Sequence, residues 1–276
     1  MRLIGYRHGR SVTVGRALAG GLVQPIADVE EFWEDPFRWG EAPSGADPLP
    51  TADLELAVPV RPSARVLCVG LNYAEHAEEG NWAPPTYPTV FARWTASLAL
   101  PGRAVTVPPS EQGLDWEAEL LAVVGRPAYR VKAADAEGIV YGYAAFNDLT
   151  ARTLQKLTSQ WTLGKNADGS GPIGEIVTAA ELGDISGGLR ISSRVNGEVV
   201  QSDTTDNMIF GIPQLLEFLS QGMTLQPGDL IATGTPSGVG YVRTPPRFLT
   251  PGDVVEVEIE RIGTVSTPVV ASERVE

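Results

Sequence analysis

The sequence predicts an α+β fold that is rich in strands and loops. Strand-like segments alternate irregularly with helical ones, without the regular strand–helix–strand order that a doubly wound sheet requires. The 276 residues include 30 glycines and 22 prolines, which favours a loop-rich fold over a helical bundle. With 43% hydrophobic and 20% charged residues, the composition is typical of a folded, soluble enzyme.

Charge and cysteine content exclude several functions. A net charge of −13 predicts that the chain binds neither nucleic acid nor anionic membranes, because phosphate groups would repel it. An anionic substrate would therefore need a local cation, which an Arg, a Lys or a metal ion could supply. A single cysteine, Cys68, excludes an internal disulfide and a cysteine-based zinc site. The N-terminus lacks the apolar segment of a signal peptide, so a cytoplasmic location is expected.

Residues 1–60 are predicted to form a small N-terminal domain of unknown role. The segment MRLIGYRHGRSVTVGRAL has turn residues between two runs of strand formers, which is typical of a hairpin. The segment DVEEFWEDPFRWGEAP predicts a short helix that ends at Pro36. A Pro- and Ala-rich linker with one strand follows.

Residues 61–276 are predicted to form the larger domain. It begins with the apolar strand RVLCVGLNY, and further strands are predicted in DWEAELLAVVG and VYGYAAFND. Asp148 ends the last of these and could cap the helical segment LTARTLQKLTSQW that follows it. A hairpin with Asn-Gly at its turn, a helix with Pro at its start, and two strands after Pro-Gly-Asp turns complete the order.

Acidic residues occupy every second position in two predicted strands, which places them on one face of each. In VEVEIE, at 255–260, the other face is apolar, so this segment predicts a half-buried strand with a solvated glutamate face. In DWEAELLAVV, at 115–124, the strand becomes apolar on both faces after Glu119, which indicates burial on both sides. Carboxylates entering such a region would take up protons or hold a cation, whereas a wet strand edge is the alternative.

Three further side chains are candidates for chemistry. Asp148 ends an apolar strand, and carboxylate oxygens with few His suit Mg²⁺ or Mn²⁺ better than zinc. His76 and Glu79 are three residues apart on one predicted helix face, which suits either an oriented general base or an exposed salt bridge. Lys165 lies in a glycine-flanked loop and, on this evidence alone, would be a surface lysine.

Taken together, these segments resemble the fumarylacetoacetate hydrolase family over about residues 65–264. The stretches that carry the resemblance occur in the family's order, and the most specific are the E-x-E pair, NDLTARTLQ and TGTPSGVG. The resemblance implies a mostly β roll with peripheral helices, and it implies a homodimer.

The resemblance also implies roles for individual residues. It assigns Mg²⁺ or Mn²⁺ to Glu117, Glu119 and Asp148, and it leaves Asp115 as a flanking acid. It assigns a general-base dyad to His76 and Glu79, on a segment that orders into a lid over bound substrate.

Four more residues match the family's polar groups. Lys165, Arg152 and Gln155 match groups that stabilise developing negative charge, with Arg152 and Gln155 expected to bind substrate. Thr235 matches a residue that helps to hold the substrate's carboxylate. Three positions depart from the family pattern: Arg93 replaces a Lys, Ala167 replaces an aromatic residue of the lysine loop, and Thr153 stands where Asp is common.

These parts predict a hydrolase that cleaves a C–C bond in a small 2,4-diketo acid of the acylpyruvate type. The metal would stabilise an enolate leaving group, and His76 would take a proton from water. Decarboxylation of an oxaloacetate-type acid and isomerisation of a 2-hydroxy-dienedioate are alternatives on the same site. The altered lysine loop motivates a third alternative, a non-catalytic metal-dependent binding protein.

Overall fold

Two β-sheets form the framework of the structure, a computed structural model that describes residues 1–40, 45–136 and 138–272. The end of the predicted larger domain, residues 273–276, lies outside the described residues. The strands are β1 (Arg2–His8), β2 (Ser11–Leu18), β3 (Leu22–Asp28), β4 (Leu49–Pro50), β5 (Leu56–Ala57), β6 (Val66–Gly70), β7 (Thr89–Arg93), β8 (Leu98–Ala99), β9 (Val105–Val107), β10 (Ala118–Val124), β11 (Val140–Asn147), β12 (Gly171–Pro172), β13 (Ile176–Thr178), β14 (Arg190–Val195), β15 (Glu198–Thr204), β16 (Leu230–Ala232), β17 (Val254–Ile259) and β18 (Gly263–Ala271).

The helices are short. They are α1 (Val29–Phe32), α2 (Ala74–Glu79), α3 (Arg152–Lys156), α4 (Thr162–Lys165), α5 (Ala179–Leu182) and α6 (Ile212–Leu219). Single 3₁₀ turns span Pro36–Trp39, Thr51–Asp53, Thr95–Ser97, Ala133–Asp135 and Thr205–Asn207. Within the described ranges, no helix is both long and apolar enough to cross a bilayer.

The larger sheet has the strand order β4-β3-β2-β1-β13-β11-β10-β16-β6-β7, and β5 pairs with β1. Its neighbours are antiparallel except β16 and β6, which run parallel with Leu230 opposite Val66. The second sheet has the order β15-β14-β17-β18-β9, and β12 and β8 form a separate parallel pair. Mixed sheets with short helices around them confirm the predicted α+β fold class.

Strands β10 and β11 are buried along their whole length, because other elements cover both of their faces. On one face, Leu120 belongs to an apolar cluster with Val257 of the second sheet. On the other face, Leu121 belongs to a cluster with Leu3 and Trp33 from the first 60 residues. The continuous apolar run therefore predicted burial on both sides correctly.

Strand β17 confirms the prediction for the second acidic row. Val255, Val257 and Ile259 are buried, whereas the glutamates between them are only partly buried. Glu258 accepts a hydrogen bond of 2.7 Å from the partly exposed Arg194. Alternating acids on this strand therefore form a solvated face.

The first 60 residues extend the larger sheet rather than build a separate one. Leu3 on β1 pairs with Ile176 on β13. The indole nitrogen of Trp33 donates to the carbonyl oxygen of Pro59 at 2.9 Å, and its ring packs on Gly228, where a Cβ would lie 3.1 Å away. The sheet and the core thus continue across residue 60, and the domain boundary there stays a prediction.

Truncation of Trp33 tests how tightly the N-terminal strands are coupled to the rest. Trp33→Ala is expected to lower the free energy of unfolding by about 3–5 kcal/mol, because the ring is fully buried in a shared core. Denaturant unfolding, followed by circular dichroism and fluorescence, should show one cooperative transition. Trp94→Ala, at a residue 59% exposed, is the control and should change stability by about 0.5 kcal/mol or less. Two separate transitions would show that the N-terminal residues fold independently.

Candidate active site

A cavity of about 300 Å³ opens beside β6, β10 and helices α2, α3 and α4. Every predicted site residue lines it except Glu79 and Asp148, each of which hydrogen-bonds to a lining residue. The lining residues are Val69, Gly70, Leu71, His76, Trp82, Phe91, Glu117, Glu119, Arg152, Gln155, Lys156, Trp161, Lys165, Thr235 and Tyr241. The fold therefore brings together residues that lie far apart in the sequence.

A larger cavity, of about 910 Å³, lies near β11 and α6. Its walls are mostly apolar, with Asp184 and Asp206 among the polar lining residues. Among the described residues, no Lys, Arg or His lines this cavity. Because the described lining of the larger cavity offers no cation to an anionic substrate, the smaller cavity is the candidate active site.

Three carboxyl groups converge at the base of this smaller cavity. Glu117 immediately precedes β10, Glu119 lies within it, and Asp148 immediately follows β11. The antiparallel pairing of the two strands, with Ala118 opposite Asn147, brings the three acids to one end of the sheet. One oxygen of each lies within 4.8 Å of the others, and all three side chains are buried. The cluster has the donor atoms of a divalent-cation site.

Basic side chains compensate two of these acids. The Nζ of Lys165 lies 2.6 Å from Oε2 of Glu117, and Nη2 of Arg152 lies 2.7 Å from Oε1. Burial alone would raise the pKa of Glu117, but Lys165 and Arg152 outweigh it and lower that pKa to about 2. Lys165 also pairs with Asp148. Burial opposes the charge on Lys165, yet the two acids raise its pKa above the usual value.

Glu119 has a backbone N–H rather than a basic side chain as its partner. In the described part of the chain it makes no contact ion pair, and its Oε2 accepts a hydrogen bond of 2.9 Å from the backbone N–H of Gly234. Burial, followed by repulsion from Asp148 and Glu117, holds the pKa of Glu119 well above its usual range. A divalent cation among the three acids would supply the positive charge that Glu119 lacks, so the donor set fits Mg²⁺ or Mn²⁺.

His76 and Glu79 form a hydrogen-bonded pair on α2. The Nδ1 of His76 lies 2.7 Å from Oε1 of Glu79, and the side chains are only 8% and 21% exposed. This burial disfavours the alternative of an exposed salt bridge. The backbone N–H of Gly238 donates to Oε2 of Glu79 at 2.8 Å, which fixes the carboxylate. With Nδ1–H donating to Glu79, the lone pair of the imidazole is on Nε2, as a general base requires.

Comparison with known proteins agrees with the fold. A sequence profile described as "Fumarylacetoacetate (FAA) hydrolase C-terminal" matches residues 65–270. The chain belongs to the fumarylacetoacetate hydrolase family.

Relatives within the family carry several activities in their names. The chain is 38% identical over 264 residues to oxaloacetate tautomerase YisK of Bacillus subtilis, a match that covers 91% of this chain and 87% of YisK. It is 41% identical over 225 residues to human mitochondrial oxaloacetate tautomerase FAHD2A, which covers 80% and 71% of the two chains.

Solved structures in the family share the fold. One is the 5-carboxymethyl-2-hydroxymuconate delta-isomerase of Mycobacterium smegmatis, with a TM-score of 0.81 and 33% identity over 99% of this chain and 100% of the other. Another is the fumarylpyruvate hydrolase of Pseudomonas aeruginosa in complex with Mn²⁺ and pyruvate, with a TM-score of 0.70 and 33% identity over 78% and 91%.

Arg93, one of the departures from the family pattern, holds Asp148 in place. Its buried guanidinium donates from Nε to Oδ1 of Asp148, from Nη2 to the carbonyl oxygen of Leu149 at 2.6 Å, and from Nη1 to Oγ of Ser170 at 2.9 Å. The planar, forked donor set of Arg explains how one side chain reaches all three acceptors. Arg93 is therefore a positioning residue for the acid cluster.

Asp115 also has a role that its sequence position did not reveal. Its Oδ2 accepts from Nε of Arg152 at 2.8 Å and from the backbone N–H of Tyr241 at 3.1 Å. Its Oδ1 accepts from the backbone N–H of Gly240 at 2.7 Å. Arg152 then donates from Nη1 to Gln155 at 3.0 Å. Asp115 thus links the glycine-rich turn to the predicted substrate-binding residues.

Gln201, on β15 of the second sheet, was also missed by the sequence analysis. Its Nε2 donates to Oγ1 of Thr235 and to the carbonyl oxygen of Pro236, both at 2.8 Å. Its Oε1 accepts from the backbone N–H of Ala118 at 3.0 Å. Gln201 therefore fixes Thr235 relative to the strand that carries Glu119.

Two local predictions were wrong. Lys165, expected at the surface from the local pattern, is buried. Asp148 does not cap the following helix, because α3 begins only at Arg152 and its first residue receives no side-chain cap. Glu111 instead accepts the backbone N–H groups of Thr153 and Leu154, at 3.0 and 2.8 Å. The carboxylate of Asp148 is held by buried cations, which are stronger partners than a helix N–H.

Metal binding is expected to tighten as pH rises, because Glu119 must lose its proton before it can coordinate a cation. Its raised pKa places that proton on the metal-free protein at pH values where an ordinary glutamate is ionised. Calorimetric titration with Mn²⁺, in two buffers of different ionisation enthalpy, should show release of up to about one proton per ion. Glu119→Gln should weaken binding by more than the roughly 10–100-fold typical of an outer-sphere change, whereas Glu258→Gln should not. A pH-independent affinity would contradict the assignment.

Asp115→Asn is expected to lower the free energy of unfolding by about 2–4 kcal/mol, because an amide presents a donor to Arg152 and cannot pair with its charge. Denaturant unfolding measures this loss, and Asp53→Asn, on the exposed surface, is the matched control. Equal stability of the two variants would show that Asp115 does not anchor Arg152.

Proposed function

We propose that this chain is a divalent-metal-dependent enzyme that converts a small 2-oxo acid through an enolate, and that oxaloacetate keto–enol tautomerisation is its reaction. One observation carries the proposal: the acid cluster, the His76–Glu79 pair and Lys165 meet at one cavity of about 300 Å³. The relatives named oxaloacetate tautomerases support the choice of substrate.

The polar groups divide into metal holders and substrate binders. Glu117, Glu119 and Asp148 would hold the cation, which supplies Lewis-acid charge beside the carboxylate and keto oxygens of a 2-oxo acid. Arg152 donates toward neighbouring acids and amides of the cavity, and Thr235 offers a hydroxyl fixed by a neighbouring glutamine. These groups would orient the substrate carboxylate.

His76 would act as the base. Its Nε2 takes a proton from C3 of oxaloacetate, and the electrons of that C–H bond form the C2–C3 double bond while the C2 oxygen gains negative charge. Glu79 stabilises the imidazolium, and the charge of Lys165 lies near the developing oxyanion. The imidazolium then returns its proton to the C2 oxygen, which gives the enol and restores neutral His76.

Aromatic side chains limit the access of water to this chemistry. Trp161 lies against Gly70, where a Cβ would come within 2.5 Å of its ring. Trp82 lies edge-on to His76, with 5.7 Å between the ring centroids. An enolate is more stable in such a partly closed site, because fixed dipoles and charges replace mobile water.

Hydrolysis of an acylpyruvate is the second candidate, and the oriented His76–Glu79 pair favours it because water activation needs such a base. His76 would take a proton from water, the hydroxide would attack the C4 carbonyl, and the C3–C4 bond would break to give a carboxylic acid and the enolate of pyruvate. Decarboxylation and dienedioate isomerisation use the same enolate without attacking water.

We further propose that the enzyme works as a cytoplasmic homodimer with Mg²⁺ or Mn²⁺.

The test is to follow the ultraviolet absorbance of the oxaloacetate enol with purified protein, first stripped of metal and then supplied with Mg²⁺ or Mn²⁺. His76→Ala is expected to lower kcat/KM by about 10²–10⁴-fold, the usual contribution of a general base. Glu79→Ala should lower it less, and Glu78→Ala, on the exposed face of the same helix, should not.

Acetylpyruvate hydrolysis and CO₂ release from oxaloacetate, measured in parallel, separate the alternatives. If the protein turns over only acetylpyruvate, and both His76→Ala and Glu119→Ala lose this activity, then the reaction is hydrolysis and not tautomerisation. A His76→Ala protein that still releases CO₂ but no longer hydrolyses would assign water activation to His76. A non-catalytic binding protein would turn over none of these substrates.

A further inference from the structure

Lys156 is a basic side chain of the cavity that the proposed chemistry does not use. It is the last residue of α3, it is exposed, and it lines the cavity together with Tyr241. Its Nζ lies 3.2 Å from the centroid of the Tyr241 ring. Within the described residues it makes no ion pair.

The other Lys and Arg side chains of the cavity already form ion pairs with carboxylates. Arg152 contacts Asp115 and Glu117, and Lys165 contacts Glu117 and Asp148. Among the lining residues that the structure describes, Lys156 alone is a Lys or Arg with a charge not shared with an acid. In a chain of net charge −13, an unshared cation at this place would attract a second anionic group.

Tyr241 restricts where that charge can be. Its backbone N–H donates to Asp115 at 3.1 Å, and the guanidinium carbon of Arg152 lies 5.6 Å from its ring centroid. The ring face holds the Lys156 ammonium by a cation–π contact and leaves other directions of the ammonium for a ligand. Because the lysine is already partly ordered, ligand binding costs less side-chain entropy.

A neighbouring acid does not take up this charge. Glu111 lines an adjoining cavity of about 230 Å³ together with Lys156. Both carboxylate oxygens of Glu111 accept backbone N–H groups at the start of α3, from Thr153 and Leu154. The helix backbone, rather than Lys156, is thus the hydrogen-bond partner of Glu111.

We propose that Lys156, held on the ring of Tyr241, binds a second carboxylate at the far end of the substrate and so selects 2-oxo dicarboxylates over 2-oxo monocarboxylates. This inference rests on the proposed function, which places the 2-oxo acid end of the substrate at the acid cluster. A cavity of about 300 Å³ is at the small end for ligand sites, which suits acids of four or five carbons.

The test compares two ligands that differ only at the far end: 2-oxoglutarate carries a carboxylate where 2-oxopentanoate has a methyl group. Calorimetric titration of the full, Mn²⁺-loaded protein should give a dissociation constant roughly fivefold lower for the dicarboxylate, as for a partly exposed ion pair. Raising the ionic strength should reduce this ratio.

Lys156→Met should bring the two dissociation constants within about twofold of each other, because the charge is lost while most of the side-chain length remains. Lys132→Met is the matched control, since Lys132 pairs with Glu217 on the surface, outside this cavity, and it should keep the wild-type ratio. In the tautomerase assay, Lys156→Met should raise KM for oxaloacetate with little change in kcat.

The outcomes separate this inference from the function on which it rests. If the wild-type protein binds both ligands equally, or if Lys156→Met keeps the wild-type ratio, the dicarboxylate subsite is refuted while the 2-oxo acid site stands. If the wild-type protein binds neither ligand, both the proposed 2-oxo acid substrate class and the dicarboxylate subsite are refuted. An unchanged denaturation midpoint in Lys156→Met excludes misfolding as the cause of a lost ratio.

Discussion

The burial of three carboxyl groups at one end of β10 and β11 is the constraint on which the rest of the site depends. These strands are covered on both faces, so acids at their ends lose hydration and repel one another. Basic side chains from three other elements form ion pairs with these acids: Arg93 at the end of β7, Arg152 at the start of α3 and Lys165 at the end of α4. Each helix or strand end is therefore positioned partly by the need to compensate buried charge.

The negative charge of the acid cluster is not fully balanced, because Glu119 has no basic partner among the described residues. This missing positive charge indicates a function. Glu117 has two cationic partners, whereas Glu119 has a backbone N–H and a raised pKa. A site evolved only for stability would gain by replacing such an acid with an apolar residue, because a buried charge without a partner is costly. Retention of Glu119 in the cluster is explained when a divalent cation supplies the missing charge.

The sequence predicted which residues meet at the cavity better than it predicted the contacts that support them. The burial of Glu119 could be predicted because the residues after it are apolar on both strand faces. Alternating acids alone would not have predicted it, because the same alternation on β17 gives a solvated face. The cap assigned to Asp148 failed because local pattern rules ignore distant cations that compete for the same carboxylate. The contacts of Asp115 and Gln201 were not predicted, because their partners lie far away in sequence. The packing of the first 60 residues into the shared core is likewise a long-range property.

The polar centre explains why one family can include tautomerases, isomerases and hydrolases. In the proposed mechanism the acid cluster, His76 and Lys165 would together stabilise an enolate, and that intermediate is common to all of these reactions. What differs must come from the walls, which decide how far the substrate extends and whether a water molecule fits beside the base. In this chain the walls include Trp82 and Trp161, which lie against Gly80 and Gly70, where a Cβ would come within 2.1 and 2.5 Å of the rings. If the proposals for this site hold, the aromatic packing and the unshared charge of Lys156, rather than the acids themselves, would select among the reactions.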